Sequence, residues 1–99
     1  MLQLRPMDTQ VPIFNQLDED LAPIILIKVF TVDATHVAAL VKAWDDDANW
    51  MKRQAGYIST QLHRGIAGSC VFLNYAVWES VAHFRAAFTH PEFQSALAA

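Results

Sequence analysis

Apolar and polar positions along this chain switch between two periods, and each switch marks an element. Ile24 to Val32 (IILIKVFTV) is almost continuously apolar and mostly β-branched, with a single charge at Lys28. A run this short and this rich in strand formers predicts a strand buried on both faces. From Val37 the period becomes helical. Val37, Leu40, Val41, Trp44, Ala48 and Met51 fall on one stripe, while Asp45, Asp46, Asp47, Lys52 and Arg53 lie mostly off it. Asp33 or Thr35 can cap this helix, and Gly56 stands where a left-handed residue is wanted to end it. Tyr57 to His63 alternates as a strand, Gly65-Ile66-Ala67-Gly68 reads as a turn, and Ser69 to Trp78 (SCVFLNYAVW) reads as the partner strand of a hairpin. Ser80 then caps a helix carrying Val81, Phe84 and Phe88. His90-Pro91 breaks it, and Phe93 and Leu97 belong to a last short helix.

Residues 1–20 show no sustained period. They carry Pro6, Pro12 and the acidic run Asp18-Glu19-Asp20, and they read as an N-terminal extension. A short extended piece around Val11 to Phe14 is expected, placed to lie on a sheet edge. Residues 21–99 form the domain. Their order of strand, helix, strand, strand, helix (βαββα) is the split βαβ order of a ferredoxin-like α+β sandwich, which normally closes with a fourth strand. No fourth strand follows Ala99, so the expectation is a sheet cut short, or one completed by the extension or a partner subunit. An open edge beside so apolar a sheet invites association.

Composition narrows the classes. Ninety-nine residues allow one domain, and 54% hydrophobic against 17% charged residues excludes a disordered tail. A net charge of −3 leaves no basic excess for nucleic acid or an anionic membrane surface. The single cysteine, Cys70, excludes an internal disulfide and any multi-cysteine zinc site, and it is expected to be buried and inert. With no leader-like N-terminus and no run long enough to span a bilayer, a cytoplasmic protein is expected. It is apolar enough to bury part of its surface in a partner.

Candidate chemistry centres on the second strand of the hairpin. One face of it carries Cys70, Phe72, Asn74, Ala76 and Trp78; the other carries Val71, Leu73, Tyr75 and Val77. Asn74, in mid-strand among apolar neighbours, needs hydrogen-bond partners, since an unpaired buried amide costs about 1–3 kcal/mol. An amide four residues from the Trp78 indole N–H suggests two polar groups converging in an apolar pocket. If Arg64 pairs with Ser69, His63 lies opposite Cys70 and Ser59 opposite Asn74. Tyr57, Ser59, Gln61 and His63 then share the face of Asn74 and Trp78. A bulge at the glycine turn would send that set to the other face. Plainer readings stand beside these: Trp78 as a core or interface aromatic, Asn74 as an amide bonded to edge backbone, His63 as a solvated strand end. Glu79 and His83, four apart, could hold an ion but are only two ligands, and Asp45-Asp46-Asp47 reads as a solvated helix face. No metal site is expected.

Phe30-Thr31-Val32, the helical Trp44, Gly56-Tyr57-Ile58-Ser59, Asn74-Tyr75-Ala76-Val77-Trp78-Glu79-Ser80, Phe84 and Pro91-Glu92-Phe93 resemble the antibiotic biosynthesis monooxygenase (ABM) domain from about Ile24 to Leu97. The NYxxWES segment with its trailing Phe and PEF is closest to members that oxidise aromatic polyketides, the cofactor-independent anthrone or quinol oxygenases. The resemblance implies a ferredoxin-like fold that forms a homodimeric α+β barrel, and a cavity between sheet and helices lined by Asn74 and Trp78. It also implies oxidation of a small aromatic substrate by dioxygen with no metal, flavin or other cofactor. On this reading Asn74 hydrogen-bonds substrate oxygen or peroxide, Trp78 bounds the cavity and donates its N–H, and Phe72, Phe84 and Tyr57 contact the substrate; with the register that puts it on the face of Asn74, His63 is the nearby candidate base. The sequence departs from the pattern at Phe84 and Leu62, where tyrosines often stand, and an arginine near the C-terminus has no counterpart. The haem-degrading branch needs an Asn, a Trp and a His at positions occupied here by Ile27 or a neighbour, Ala87 and Leu97, which disfavours haem degradation. The alternatives are a non-enzymatic dimeric module that binds an aromatic metabolite, and a structural dimer whose cavity is filled by side chains. In the latter Asn74 should bond backbone.

Overall fold

A chain with one apolar strand and an apolar hairpin has to cover its sheet, and the helices do so on one side. The structure, a computed structural model, describes residues 7–98 and the side chains of residues 7–96; Pro6 and the side chain of Leu97 lie outside them. The elements are α1 (Ile13–Gln16), β1 (Ile24–Thr31), a 3-10 turn (Ala34–His36) leading into α2 (Val37–Met51), β2 (Tyr57–Arg64), β3 (Val71–Trp78), α3 (Val81–Phe88) and α4 (Pro91–Ala98). The strands form an antiparallel sheet in the order β1-β3-β2, so β3 is central. This is the α+β ferredoxin-like order expected from the sequence. Among the described residues nothing pairs with the outer edges of β1 and β2.

Burial follows the strand period. Phe72, Asn74, Ala76 and Trp78 of β3 are buried under the helices. The opposite face, with Ile25, Ile27, Val29, Val71, Leu73, Tyr75 and Val77, has no helix over it among the described residues: Ile25 is 56% exposed and Val29 48%. The continuous apolarity of β1 therefore does not mean burial on both faces of this chain. The core gathers Leu17, Met51, Ala76, Trp78, Val81, Phe84, Ala87 and Phe93.

Local signals explain the joints. The Ser80 hydroxyl accepts from the His83 N–H at 3.1 Å, which caps α3. Neither Asp33 nor Thr35 caps α2; the chain enters that helix through the 3-10 turn, with no side-chain cap. Gly56 does not end α2, which stops at Met51 with the right-handed Lys52 as its C-cap; it stands just before β2 with φ +87°, where a Cβ would lie 2.2 Å from Cγ of His83, so both backbone and packing require glycine.

Three further expectations are corrected. Val11 to Phe14 is not extended. Asp8 Oδ1 accepts from the N–H groups of Gln10 (2.9 Å) and Val11 (3.2 Å), Pro12 follows with φ −66°, and α1 begins. This segment packs on the core through buried Leu17 and an edge-on Phe14–Phe88 contact at 6.0 Å, and the Arg85 guanidinium donates to the Leu17 carbonyl. Secondly, the hairpin pairs Arg64 with Phe72, not Ser69, and its bulge lies between Tyr57 and Ser59 rather than at the turn. Residues 65–70 form a wider loop, with Ala67 (φ 60°) and Gly68 (φ 74°) both left-handed, which takes Ser69 and Cys70 out of the ladder. Thirdly, Cys70 is consequently only partly buried, at the rim of that loop.

Candidate functional site

The register decides which side chains meet on the helix-facing side. Asn74 pairs across the sheet with Leu62 on β2 and with Lys28 on β1. Directly paired residues point to one face, so Lys28, Asn74 and Leu62 form a row beneath α2. Asn74 is 3% exposed. Its Oδ1 accepts from the Trp44 indole Nε1 at 2.7 Å and from the Thr60 hydroxyl at 3.0 Å. An indole N–H only donates, so the bonded amide atom is the oxygen and the orientation of the amide follows. Trp44 arrives from α2 and Thr60 from β2, which turns the NH2 away from both. That nitrogen has no partner among the described residues. Among the described residues no sealed polar side-chain atom goes unbonded, so this nitrogen keeps some accessible surface. Both partners of the oxygen are side chains, contrary to the backbone bonding expected of a filled, structural sheet.

Lys28 is the charged member of the row. It stands mid-strand among Leu26, Ile27, Val29 and Phe30, and burial pulls its pKa below the usual lysine range, opposed by the negative charge of Asp47 on α2. Burial likewise raises the Asp47 carboxyl, with Lys28 acting against the rise and Asp46 adding to it. The two charges feel each other without closing an ion pair: the ion pairs among the described residues are Asp33–His36, Lys42–Asp46 and Glu79–His83. Two concavities flank α2. An open groove is lined by Ala38, Val41, Lys42, Trp44, Asp45 and Leu62, and Asn74 is not among its lining residues. A smaller cleft of about 270 Å³, lined by Asp46, Asp47, Trp50, Arg53 and Phe93, lies between α2 and α4.

Trp78 belongs to a different group. It is 1% exposed, edge-on to Tyr57 at 5.7 Å and to Phe84 at 5.4 Å. The bulge in β2 brings Tyr57 opposite Trp78. Asn74 and Trp78 share a face but stand about 13 Å apart along the strand, with Ala76 between them. The indole that meets the amide is Trp44, not Trp78. Phe72 is buried at the other end, with the Arg64 guanidinium 5.2 Å above its ring. His63 pairs with Leu73, so it lies on the opposite face from Asn74. It is exposed there, with Nε2 3.2 Å from Gln61 Oε1. The role of base depended on the other register, and the observed one removes His63 from the row. Among the described residues no three His, Cys, Asp or Glu side chains converge as metal ligands, and no helix is long and apolar enough to cross a membrane.

Lys28, Trp44 and Thr60 are site residues that sequence reasoning missed. The signal for Lys28 was its being the lone charge in an apolar strand. Trp44 was hidden in a helical stripe that reads as core, and Thr60 by the register.

Comparison with known proteins agrees with this architecture. The model of a protein family described as antibiotic biosynthesis monooxygenase matches residues 23–99. No curated protein matches the chain. A crystal structure of a candidate monooxygenase from Shewanella loihica PV-4 is 35% identical, with 81% of this chain and 83% of that one covered and a TM-score of 0.68. SnoaB, a cofactor-independent oxygenase from Streptomyces nogalater, is 23% identical over 79% of each chain at a TM-score of 0.72, a likeness of fold. A candidate antibiotic biosynthesis monooxygenase from Caulobacter crescentus CB15 is 20% identical, covering 78% and 74%, at 0.70. With the family pattern covering the whole sheet and the helices on it, the chain belongs to the antibiotic biosynthesis monooxygenase family.

Proposed function

We propose that the protein is a cofactor-independent monooxygenase that oxidises a quinol, anthrone or related aromatic substrate with dioxygen, and that it works as a homodimer. The observation that carries this reading is the buried Asn74 amide, its oxygen clamped by Trp44 and Thr60 and its NH2 without a partner among the described residues. Family membership supports monooxygenase chemistry, and the likeness to SnoaB, named as a cofactor-independent oxygenase, supports the absence of a cofactor. The substrate is the reductant. Losing a proton makes it electron-rich enough to reduce dioxygen. Peroxide forms at the activated carbon, and loss of water leaves the carbonyl, so one oxygen atom ends in product and one in water. The protein contributes orientation, exclusion of water and a preorganised donor where negative charge develops. Asn74 supplies that donor. Trp78, Phe84 and Tyr57 form an aromatic wall at one end and Phe72 closes the other.

The dimer rests on the uncovered face of the sheet, where Ile25, Val29 and Val71 are all more than two-fifths exposed. An apolar sheet face of that kind is stabilised by a second copy packed against it. A non-catalytic module binding an aromatic metabolite is the second reading, favoured by Phe84, which puts no hydroxyl beside Trp78.

Oxygen uptake by metal-free protein given a panel of anthrones and quinols tests the proposal. Uptake above the spontaneous rate that falls in Asn74→Ala and in Trp78→Phe is expected. A folded protein that binds these compounds without accelerating uptake selects the second reading.

A further inference from the structure

We propose that Lys28 is a substrate-binding residue: its ammonium and the Asn74 amide N–H together hold the deprotonated oxygen of a phenolic substrate. The proposal deepens the reading above and rests on it for the location of the site.

Three observations converge. The register makes Lys28 and Asn74 direct cross-strand partners on the helix-facing side. Both present donors, and neither the amide nitrogen nor the ammonium has a hydrogen-bond partner among the described residues; the amide oxygen is held by Trp44 and Thr60 instead. Asp47 is near enough to act on Lys28 yet makes no ion pair with it. A lysine in mid-strand among apolar residues costs desolvation, which a structural role would offset with a closed ion pair or hydrogen bonds. Lys28 is half-buried and has neither, so its ammonium is open to an anion that arrives.

What fits between an ammonium and an amide N–H is an anionic oxygen. On binding, the phenol O–H bond breaks, the proton passes to water or a buffer base, and the oxygen keeps the electron pair opposite Lys28. No oxidant enters this step. It leaves the ring in the electron-rich form that reacts with dioxygen. The substrate class narrows accordingly to aromatics with an ionisable hydroxyl. Other charges lie around the row: Lys42, paired with Asp46, and Asp45 line the groove beside Trp44 and Leu62. Asp47, with Asp46 beside it, faces Lys28 from α2. Arg64 on β2 lies over Phe72 at the far end, and the Tyr57 hydroxyl is at the Trp78 end. On that face of β3 there is no charge.

The test uses a hydroxyanthraquinone dye, already oxidised and therefore inert to oxygen, whose phenol and phenolate absorb at different wavelengths. The dye is titrated with pH while bound to the intact protein. Binding to the wild type is expected to raise the ionisation constant of the phenol about tenfold or more, a pKa shift of about one unit. Lys28→Met should abolish that shift while still binding the neutral dye, and Lys28→Arg should restore part of it. Asp47→Asn, nearly isosteric, should enlarge the shift, which keeps the proposal testable if Lys28→Met fails to fold. An unshifted dye on the wild type, no saturable binding, the full shift in Lys28→Met, or a smaller shift in Asp47→Asn overturns the assignment. The readout needs no turnover. A Lys28-dependent shift without oxygen uptake sustains Lys28 and refutes the oxygenase, whereas uptake without such a shift does the reverse.

Discussion

The clamp on Asn74 makes a quantitative prediction. Its oxygen is buried and accepts two hydrogen bonds, from Trp44 Nε1 at 2.7 Å and from Thr60 Oγ1 at 3.0 Å. Removing one donor leaves the other, so Trp44→Phe and Thr60→Val should each cost about 1 kcal/mol, the net worth of a neutral hydrogen bond. Trp44→Phe adds a small packing loss. Removing both strands a buried carbonyl oxygen, and that penalty is about 1–3 kcal/mol beyond the lost bond. The double variant should therefore be worse than the sum of the singles by about 1 kcal/mol or more, a coupling expected of residues sharing one acceptor. Urea unfolding followed by circular dichroism, at one fixed protein concentration, measures the cycle. With a slope of about 1–3 kcal/mol/M, each single change should lower the midpoint by about 0.3–1 M. Oxygen uptake should track it: a singly clamped amide keeps its orientation, whereas an unclamped one can rotate and present its oxygen to a developing anion. Additive stabilities, or a double variant with undiminished activity, would refute the claim that these two donors orient the amide.

Three further outcomes are expected. Gly56→Ala should lower Tm sharply, because left-handed backbone costs about 1–3 kcal/mol there and the new Cβ meets the His83 ring; adding His83→Ala should recover only the part due to the clash, and full recovery in a thermal melt would count against the backbone argument. Lys28→Met should raise the urea midpoint at neutral pH while impairing activity. Burial lowers the Lys28 pKa on folding, so the folded chain binds this proton less well than the unfolded one, and the penalty is full below the folded pKa and lifts as pH rises toward 10.5. The advantage of the variant over wild type should shrink across that window, and a constant or growing advantage would be inconsistent with it. Val29→Asp, on the uncovered face of the sheet, should turn a two-subunit species into a folded monomer in sedimentation at micromolar concentration; a wild type that sediments as a monomer would end the dimer proposal.

How much was legible beforehand divides along a physical line. Periodicity and caps located β1, α2, both hairpin strands, α3 and the break at His90-Pro91, because each depends on residues close in sequence. The βαββα order then left few folds to choose from. Ser80, Gly56 and the buried mid-strand Asn74 stood out for the same reason: a cap, a left-handed glycine and an amide in apolar company are local facts, although that glycine makes the turn into β2 and does not end α2. Strand register is not local. It was set by a loop that takes up Ser69 and Cys70 and by a bulge before Ser59, and the odd offset between expected and observed pairing exchanged the faces of β2. That one exchange took His63 away from Asn74 and put Thr60 beside it. Tertiary packing decided the rest. Which of three tryptophans meets the amide depends on how α2 lies over the sheet, and the answer was Trp44, while Trp78 joined Phe84 and Tyr57 in the core. Sequence showed Lys28 as an odd charge in an apolar strand; only the pairing of β1 with β3 set that charge opposite the Asn74 amide, because contacts between distant segments are written in their packing and not in the period of either one.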